Sequence, residues 1–207
     1  ESIGVDLGIK NLAIVSNIDK PFKNINKSKE VKRLNKKLKR LQKQVSRKYD
    51  MLKSGNTFKK GEKLSKTKNI IKIKKQIKIV HKKIADIRLN HIHQTTNTIV
   101  KTKPCRVVVE DLNVKGLMKN KHLSKAISEQ CFNKFIAILE YKCKWSGIEF
   151  VKADRFYPSS KICSCCGTIK KDLRLKDRTY ICTNPKCNLI IDRDKNASIN
   201  LANYKLA

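Results

Sequence analysis

Between Glu30 and His91 the apolar residues recur at alternating steps of three and four. The first set is Val31, Leu34, Leu38, Leu41 and Val45; the second is Ile70, Ile73, Ile77, Val80, Ile84, Ile87 and His91. Two seams of similar length, parted by a polar break that carries Gly55 and Gly61, predict an antiparallel, coiled-coil-like helical hairpin. The charge on this stretch is one-sided. Residues 20–103 hold 28 of the 49 Lys and Arg but only 4 of the 17 Asp and Glu, leaving 24 of the net +32 charge here. A merely solvated helix face mixes both signs, so the asymmetry points to a polyanion. Nucleic acid is the default, because each neutralised phosphate releases counterions without any sequence readout. An anionic membrane surface is the rival, but no apolar run approaches the roughly 20 residues of a spanning helix, and no signal peptide is visible.

The chain has 207 residues, room for one substantial domain and a small satellite. Four of its eight cysteines fall late at metal-like spacings with Cys165 among them, and the other three are scattered, a pattern of a reducing compartment, hence of the cell interior. Residues 2–9 read as a buried strand and Asn11–Ser16 as a second, joined by a tight turn after Gly8. Glu1 falls almost inside that first strand, so the chain is expected to be a fragment that lacks an N-terminal portion. Residues 20–29 read as a connector, with a short third strand around residues 22–25 as the other reading. After Pro104 comes the β-branched strand Arg106–Glu110, then a helix over 124–145 ended by Gly147, and a last strand from Ile148 to Ala153. Strand, strand, long helices, strand, helix, strand is an α/β pattern.

Three acidic positions stand out. Asp6 lies between Val5 and Leu7 in an apolar strand, where a lone carboxylate is costly unless paired or metal-bound. Gly4 and Gly8 share its face and leave a gap that would admit a phosphate or a metal; the bland alternative is an Asp that starts a turn. Glu110 closes a strand, with Asp111 sent to the opposite face by alternation. The third position lies in Asp192-Arg-Asp194-Lys-Asn-Ala-Ser, which leads into a short helix. An Asp there is a routine N-cap, and position alone leaves Asp192 and Asp194 interchangeable as cap and ligand. Three such acids form a hard, oxygen-rich set suited to Mg²⁺ or Mn²⁺. A pair of these ions activates water for in-line attack on a phosphodiester. No Ser-His-Asp or Cys-His arrangement competes, and His91 and His93 face different sides of a helix.

Cys163-x-x-Cys166-Gly and Cys182-x-x-x-x-Cys187 are paired knuckles of the kind that hold one structural, tetrahedral Zn²⁺ with no open position. Gly167 suits the first knuckle, Asn188 follows the second, and Cys165 is a possible substitute ligand. Cys105, Cys131 and Cys143 fall in apolar contexts and are expected in the core. Between the knuckles, Lys170, Lys171, Arg174, Lys176 and Arg178 read equally as phosphate contacts or as decoration of an exposed hairpin.

These pieces together resemble the TnpB/OrfB family encoded by small insertion sequences. The resemblance runs through Gly4-Val-Asp-Leu-Gly-Ile-Lys-Asn-Leu-Ala, the Lys-rich helices ending near Arg88, Val108-Val-Glu-Asp-Leu-Asn-Val-Lys-Gly-Leu, Tyr141-Lys, Pro158-Ser-Ser-Lys-Ile-Cys-Ser-Cys-Cys-Gly and Asp192-Arg-Asp-Lys-Asn-Ala-Ser. It implies an RNase H-like, RuvC-type nuclease similar to type V CRISPR effectors. Its α/β mixed sheet would be interrupted by the basic helical hairpin and a small zinc ribbon. The implied division is nuclease 1–29, hairpin 30–101, nuclease 102–158, zinc ribbon 159–190 and nuclease 191–207. The implied catalytic carboxylates are Asp6, Glu110 and Asp194, the last standing one residue before the Asn196-Ala197 pair, with Asp192 left as cap or supporting group. The implied activity is RNA-guided, two-metal cleavage of DNA in the cytoplasm, with a guide RNA from the transposon end. Departures from the family pattern are Cys131-Phe132, where a Trp is common, and Asn188 for a Gly. Two other functions fit the same residues: a zinc-ribbon protein that binds nucleic acid without cutting, and a transposase that performs strand transfer.

Overall fold

The computed structural model describes residues 1–54, 66–174 and 176–205. The polar break with Gly55 and Gly61 lies outside the described residues. Two compact units are present: residues Ile25–Asn90, and residues Glu1–Asn24 together with His91–Ala207.

The larger unit is built on a five-stranded sheet ordered β3-β2-β1-β4-β5, with β1 Ser2–Leu7, β2 Asn11–Val15, β3 Phe22–Lys23, β4 Arg106–Glu110 and β5 Glu149–Ala153. The first three strands meander antiparallel, starting from a turn in which the Gly8 N–H donates to the Leu12 carbonyl. β4 and β5 add in parallel to β1, with Val5 opposite Val109 and Glu110 opposite Ala153. The short third strand, one of two readings of residues 20–29, is therefore present.

Alternation divides the sheet into two faces. Ile3, Val5, Val107 and Val109 point to one, where they join Phe135, Leu139, Ile92 and Ile99 in the main core. Gly4, Asp6, Val108 and Glu110 belong to the other, over which α6 (Arg193–Ala202) lies. The gap at Gly4 is not left for a phosphate or a metal. A Cβ there would overlap the Ser198 carbonyl oxygen and stand 2.5 Å from the Ala202 nitrogen, so the missing side chain lets the helix backbone approach the strand.

The helix expected over 124–145 is two helices, α4 Ser124–Gln130 and α5 Phe132–Trp145, after the four-residue α3 Val114–Leu117. Cys131 breaks them apart in the left-handed conformation (φ 55°, ψ 40°). The break turns Ile127 and Phe132 both into the core and frees Gln130 to donate to the Gly8 and Ile9 carbonyls at 2.9 and 3.2 Å. Cys143 is buried and Cys131 half-buried, but Cys105 is exposed, against the core placement expected of it. It stands just before β4, its N–H on the Glu1 carbonyl and its carbonyl accepting from Glu149, so its backbone serves the sheet while its thiol faces out.

The smaller unit holds α1 (Lys29–Ser54) and most of α2 (Lys68–Lys101). Val31, Leu34, Leu38 and Leu41 pack on Ile73, Ile77, Val80, Ile84 and Ile87, the two predicted seams. Arg88 Nε donates to Asn26 Oδ1 at 2.6 Å, and Lys74 Nζ lies 4.9 Å from the centre of the Tyr49 ring. The Arg88 turn of α2 thus meets the segment just before α1, and the start of α2 meets the end of α1; the pair is antiparallel. The final residues of α2 belong to the sheet unit, because Ile92 and Ile99 are core there.

The rest of the chain is a small two-stranded sheet, β6 Thr179–Ile181 against β7 Ile190–Asp192, with the buried Tyr180 donating to the Lys161 and Thr168 carbonyls. Among the described residues no helix is long and apolar enough to cross a membrane.

Candidate functional site

Asp6 and Glu110 stand near the carboxyl-terminal ends of two parallel, adjacent strands, on the same sheet face and one register step past the Val5–Val109 pair. α6 reaches that face with its first turn, which carries Asp194. Asp6, Glu110 and Asp194 line one cavity of about 360 Å³, together with Gly8, Lys10, Arg178 and Arg193. The two candidates at the head of α6 are separated by the backbone. Asp192 is the N-cap, its Oδ1 accepting from the N–H groups of Asp194 and Lys195 at 3.0 and 3.1 Å. Asp194 instead faces the cavity and pairs with Arg193 at 3.1 Å. Asp111 turns away into a bidentate pair with Arg155, at 2.6 and 3.0 Å.

Burial and neighbouring acids outweigh the positive charge that reaches Asp6. Burial, then the negative charges of Glu110 and Asp194, push the Asp6 carboxyl well above its ordinary value; Arg193 opposes this and Asp192 adds to it. Burial also raises Glu110. The Ser159 hydroxyl, donating to Glu110 Oε1 at 2.6 Å, pulls it back down, and Asp194 adds a further rise. Carboxylates that raise one another's pKa in a desolvated cleft gain most from a divalent cation, which removes repulsion and desolvation cost together. By donor type the set suits a hard, oxygen-ligated metal, while among the described residues only the four cysteines have ligand atoms all within 4.8 Å of one another.

The four predicted cysteines converge. Cys163, Cys166, Cys182 and Cys187 have sulfurs all within 4.8 Å of one another, with 3.7 Å between Cys163 and Cys187 and 3.6 Å between Cys166 and Cys182. Thiolates about 2.3 Å from one tetrahedral Zn²⁺ are separated by about 3.8 Å, so the cluster has the dimensions of a structural metal site. Gly167 (φ 75°) and Asn188 (φ 49°) both follow a knuckle in the left-handed region. Cys165 is exposed and stands outside the four. Hydrogen bonds with the side chain and backbone of Thr168 bring the Cys166 thiol down to about 6, which favours the metal-binding thiolate.

Sequence reasoning missed the parts that fasten these two sites together. Asn196 and Asn200, one turn apart on α6, are buried. Asn196 accepts from the Ser164 N–H at 3.0 Å and donates to the Ile162 carbonyl at 2.7 Å. Asn200 donates to the carbonyls of Ser159 and Ile162, both at 2.7 Å. One helix thus carries Asp194 and grips the segment that holds both Ser159 and Cys163. Lys195 donates to three carbonyls, of Val15, Ser16 and Ile18, at 2.9–3.1 Å. The i, i+4 spacing of two asparagines in a predicted helix was the available signal; nothing local marked the role of Ser159, while Arg178 is the one of the five basic residues between the knuckles that lines the cavity with the acids.

A family model described as "probable transposase", OrfB of the IS605 type, matches residues 1–121. A second model, the Cas12f1-like TNB domain, matches residues 132–201. A Streptomyces pristinaespiralis protein named as an RNA-guided DNA endonuclease is 35% identical over 206 residues, covering 100% of this chain and 46% of that protein. InsQ of Escherichia coli K12, named likewise, is 27% identical over 198 residues, 87% of this chain and 43% of that one. The chain spans less than half the length of these relatives. Among solved structures, a Cas12f1–sgRNA–target DNA complex matches with a TM-score of 0.61 at 22% identity, over 99% of this chain and 50% of that one. A CRISPR-Cas12f ternary complex matches with a TM-score of 0.65 at 21% identity, over 100% and 39%. The mixed α/β arrangement is thus that of Cas12f effectors. Matched by the OrfB model over more than half of its residues, the chain belongs to the TnpB/OrfB family.

Proposed function

We propose that this chain is the nuclease portion of an RNA-guided DNA endonuclease, an RNase H-like, RuvC-type core with the basic hairpin of residues 30–101 and the zinc ribbon of residues 159–190 inserted. The observation that carries the reading is that Asp6, Glu110 and Asp194, from two strands and a helix, line one cavity in which burial and the neighbouring acids raise Asp6 and Glu110. In this reading the three carboxylates hold two Mg²⁺ or Mn²⁺ ions, which when bound supply an activated water and neutralise the leaving oxygen. Ser159 keeps Glu110 ionised and oriented, while Asp192 fixes the first turn of α6 and hence the direction of Asp194. Arg178 and Arg193 are placed to meet the phosphate's negative charge. Cys163, Cys166, Cys182 and Cys187 hold one structural Zn²⁺. The partners are a guide RNA from the transposon end and a DNA target, supported by the names of the relatives and by the lysine-loaded helices, and the location is the cytoplasm.

Asp6→Asn and Glu110→Gln are each expected to abolish Mg²⁺-dependent cleavage, by at least about a hundredfold, while leaving DNA binding within a factor of two or so. Cleavage by both variants sinks the assignment. The "probable transposase" description of the matched family favours a second reading, strand transfer at the same carboxylates; joined donor–target products, rather than cut ends alone, would identify it.

A further inference from the structure

Resting on that reading of the carboxylates, we infer that Phe156, exposed on the loop beside the cavity at Glu110, is a stacking platform for a nucleobase of the cut strand. A second cavity, of about 300 Å³, adjoins the first and shares Glu110 with it; Leu112, Leu117, Tyr157 and Leu201 line it together with Asp111, Asp154 and Arg155. Phe156 stands between two of these residues and is 86% exposed. A phenyl ring held in water beside a largely apolar cavity has no role in the core.

The loop is built to hold that ring out. Residues 154–158 leave the sheet at Ala153, in register with Glu110, and return at Ser159, whose hydroxyl is bonded to Glu110. Phe156 is the midpoint, three residues from either anchor and so within about 11 Å of it. In a stacked strand that is about three nucleotide steps. Both neighbours are pinned: Arg155 by its bidentate bond to Asp111, and Tyr157 by its hydroxyl on the Asn200 carbonyl and its edge-on packing against Tyr204. The Phe156 N–H is itself held by Asp154 Oδ1 at 2.7 Å. Phe156 can therefore project nowhere but outward.

What the subsite recognises follows from which polar atoms are already taken. Asp154 Oδ1, the Tyr157 hydroxyl and Asn113 Oδ1, which accepts from the Gly116 N–H, are all engaged within the chain. A base on Phe156 would meet a phenyl face with the held Arg155 guanidinium as its sequence neighbour, the means by which single strands are held without sequence readout. The exposed Trp145, paired with the half-buried Tyr141, is a poorer candidate. It ends α5 next to the start of β5, at the opposite end of the parallel strands from the carboxylates.

The test moves the chain's single tryptophan into the loop by combining Trp145→Phe with Phe156→Trp. The probes are an oligodeoxythymidylate of about twelve nucleotides and a base-free deoxyribose-phosphate oligomer of the same length. Salt of about 0.3 M keeps phosphate contacts from dominating. Tryptophan fluorescence should be quenched by the thymidylate and not by the base-free oligomer. Phe156→Ala should weaken thymidylate binding about tenfold, with Phe156→Tyr close to the parent. No binding, equal quenching by both oligomers, or unchanged fluorescence with thymidylate bound overturns the subsite. Failure of the nuclease reading is scored separately, by cleavage that survives Asp6→Asn.

Discussion

Asp6 illustrates how a residue's cost reveals its use. Its carboxyl is raised by burial and by two neighbouring acids, so without a divalent cation its ionisation works against the fold. Between its ordinary value and its raised value the native chain holds more protons than the unfolded chain, and stability therefore falls as pH rises through that window. Asp6→Asn removes the penalty. Without added Mg²⁺ it is expected to melt higher than the parent at neutral pH, by about 2–4 °C for each kcal/mol relieved. The difference should vanish below the ordinary carboxylate range; thermal melts across pH, with and without Mg²⁺, measure both effects. Ser159 acts in the opposite direction on Glu110, since its hydrogen bond favours the ionised form. Ser159→Ala should move the acidic limb of the cleavage–pH profile to higher pH, and Ser159→Thr should leave it in place. An unmoved limb would remove Ser159 from the site's electrostatics.

At the scale of elements, α6 is the part on which the rest converges. It caps itself with Asp192, presents Asp194, and ties down the segment of Ser159 and Cys163 through Asn196 and Asn200. Its close seat on β1 depends on Gly4. Gly4→Ala would drive a methyl group into the backbone of α6, with neither strand nor helix free to yield, and should cost about 3 kcal/mol or more. Urea denaturation reads this cost, and a near-neutral result would mean that the helix can lift from the strand. The two long helices are the simpler case. Their seams formed as spaced because leucine, valine and isoleucine at three-four steps have one way to leave water. The helix expected over 124–145 broke at Cys131 because tertiary demands on Ile127, Gln130 and Phe132 outweigh the propensity of a single residue.

For the whole molecule the dominant quantity is charge. Lys36, Arg40, Lys43 and Arg47 repeat along one exposed side of α1. Replacing all four by alanine should weaken duplex binding and reduce the slope of log K against log salt by about 0.9 for each phosphate that is no longer neutralised. An unchanged slope would mean that the side faces solvent only. The expected loss is in affinity, with sequence preference untouched, because phosphate contacts carry no base information.

The helical seams, the strands of the five-stranded sheet, the grouping of the four cysteines and the acids proposed for the site were legible in the chain itself. Each depends on a period, a spacing of a few residues, or the anomaly of a charge in an apolar run. Which aspartate at the head of α6 caps and which faces the cavity was legible only through the family resemblance, and Arg178 only as one of five basic residues between the knuckles; the roles of Ser159, Asn196, Asn200 and Gly4 were not legible. These depend on residues far apart in the chain, such as Gly4 and Ser198 or Glu110 and Ser159, meeting across a sheet face. Local chemistry carries no record of so distant a neighbour. Packing decided them, because a buried carbonyl or carboxylate must find its partner wherever the fold brings one.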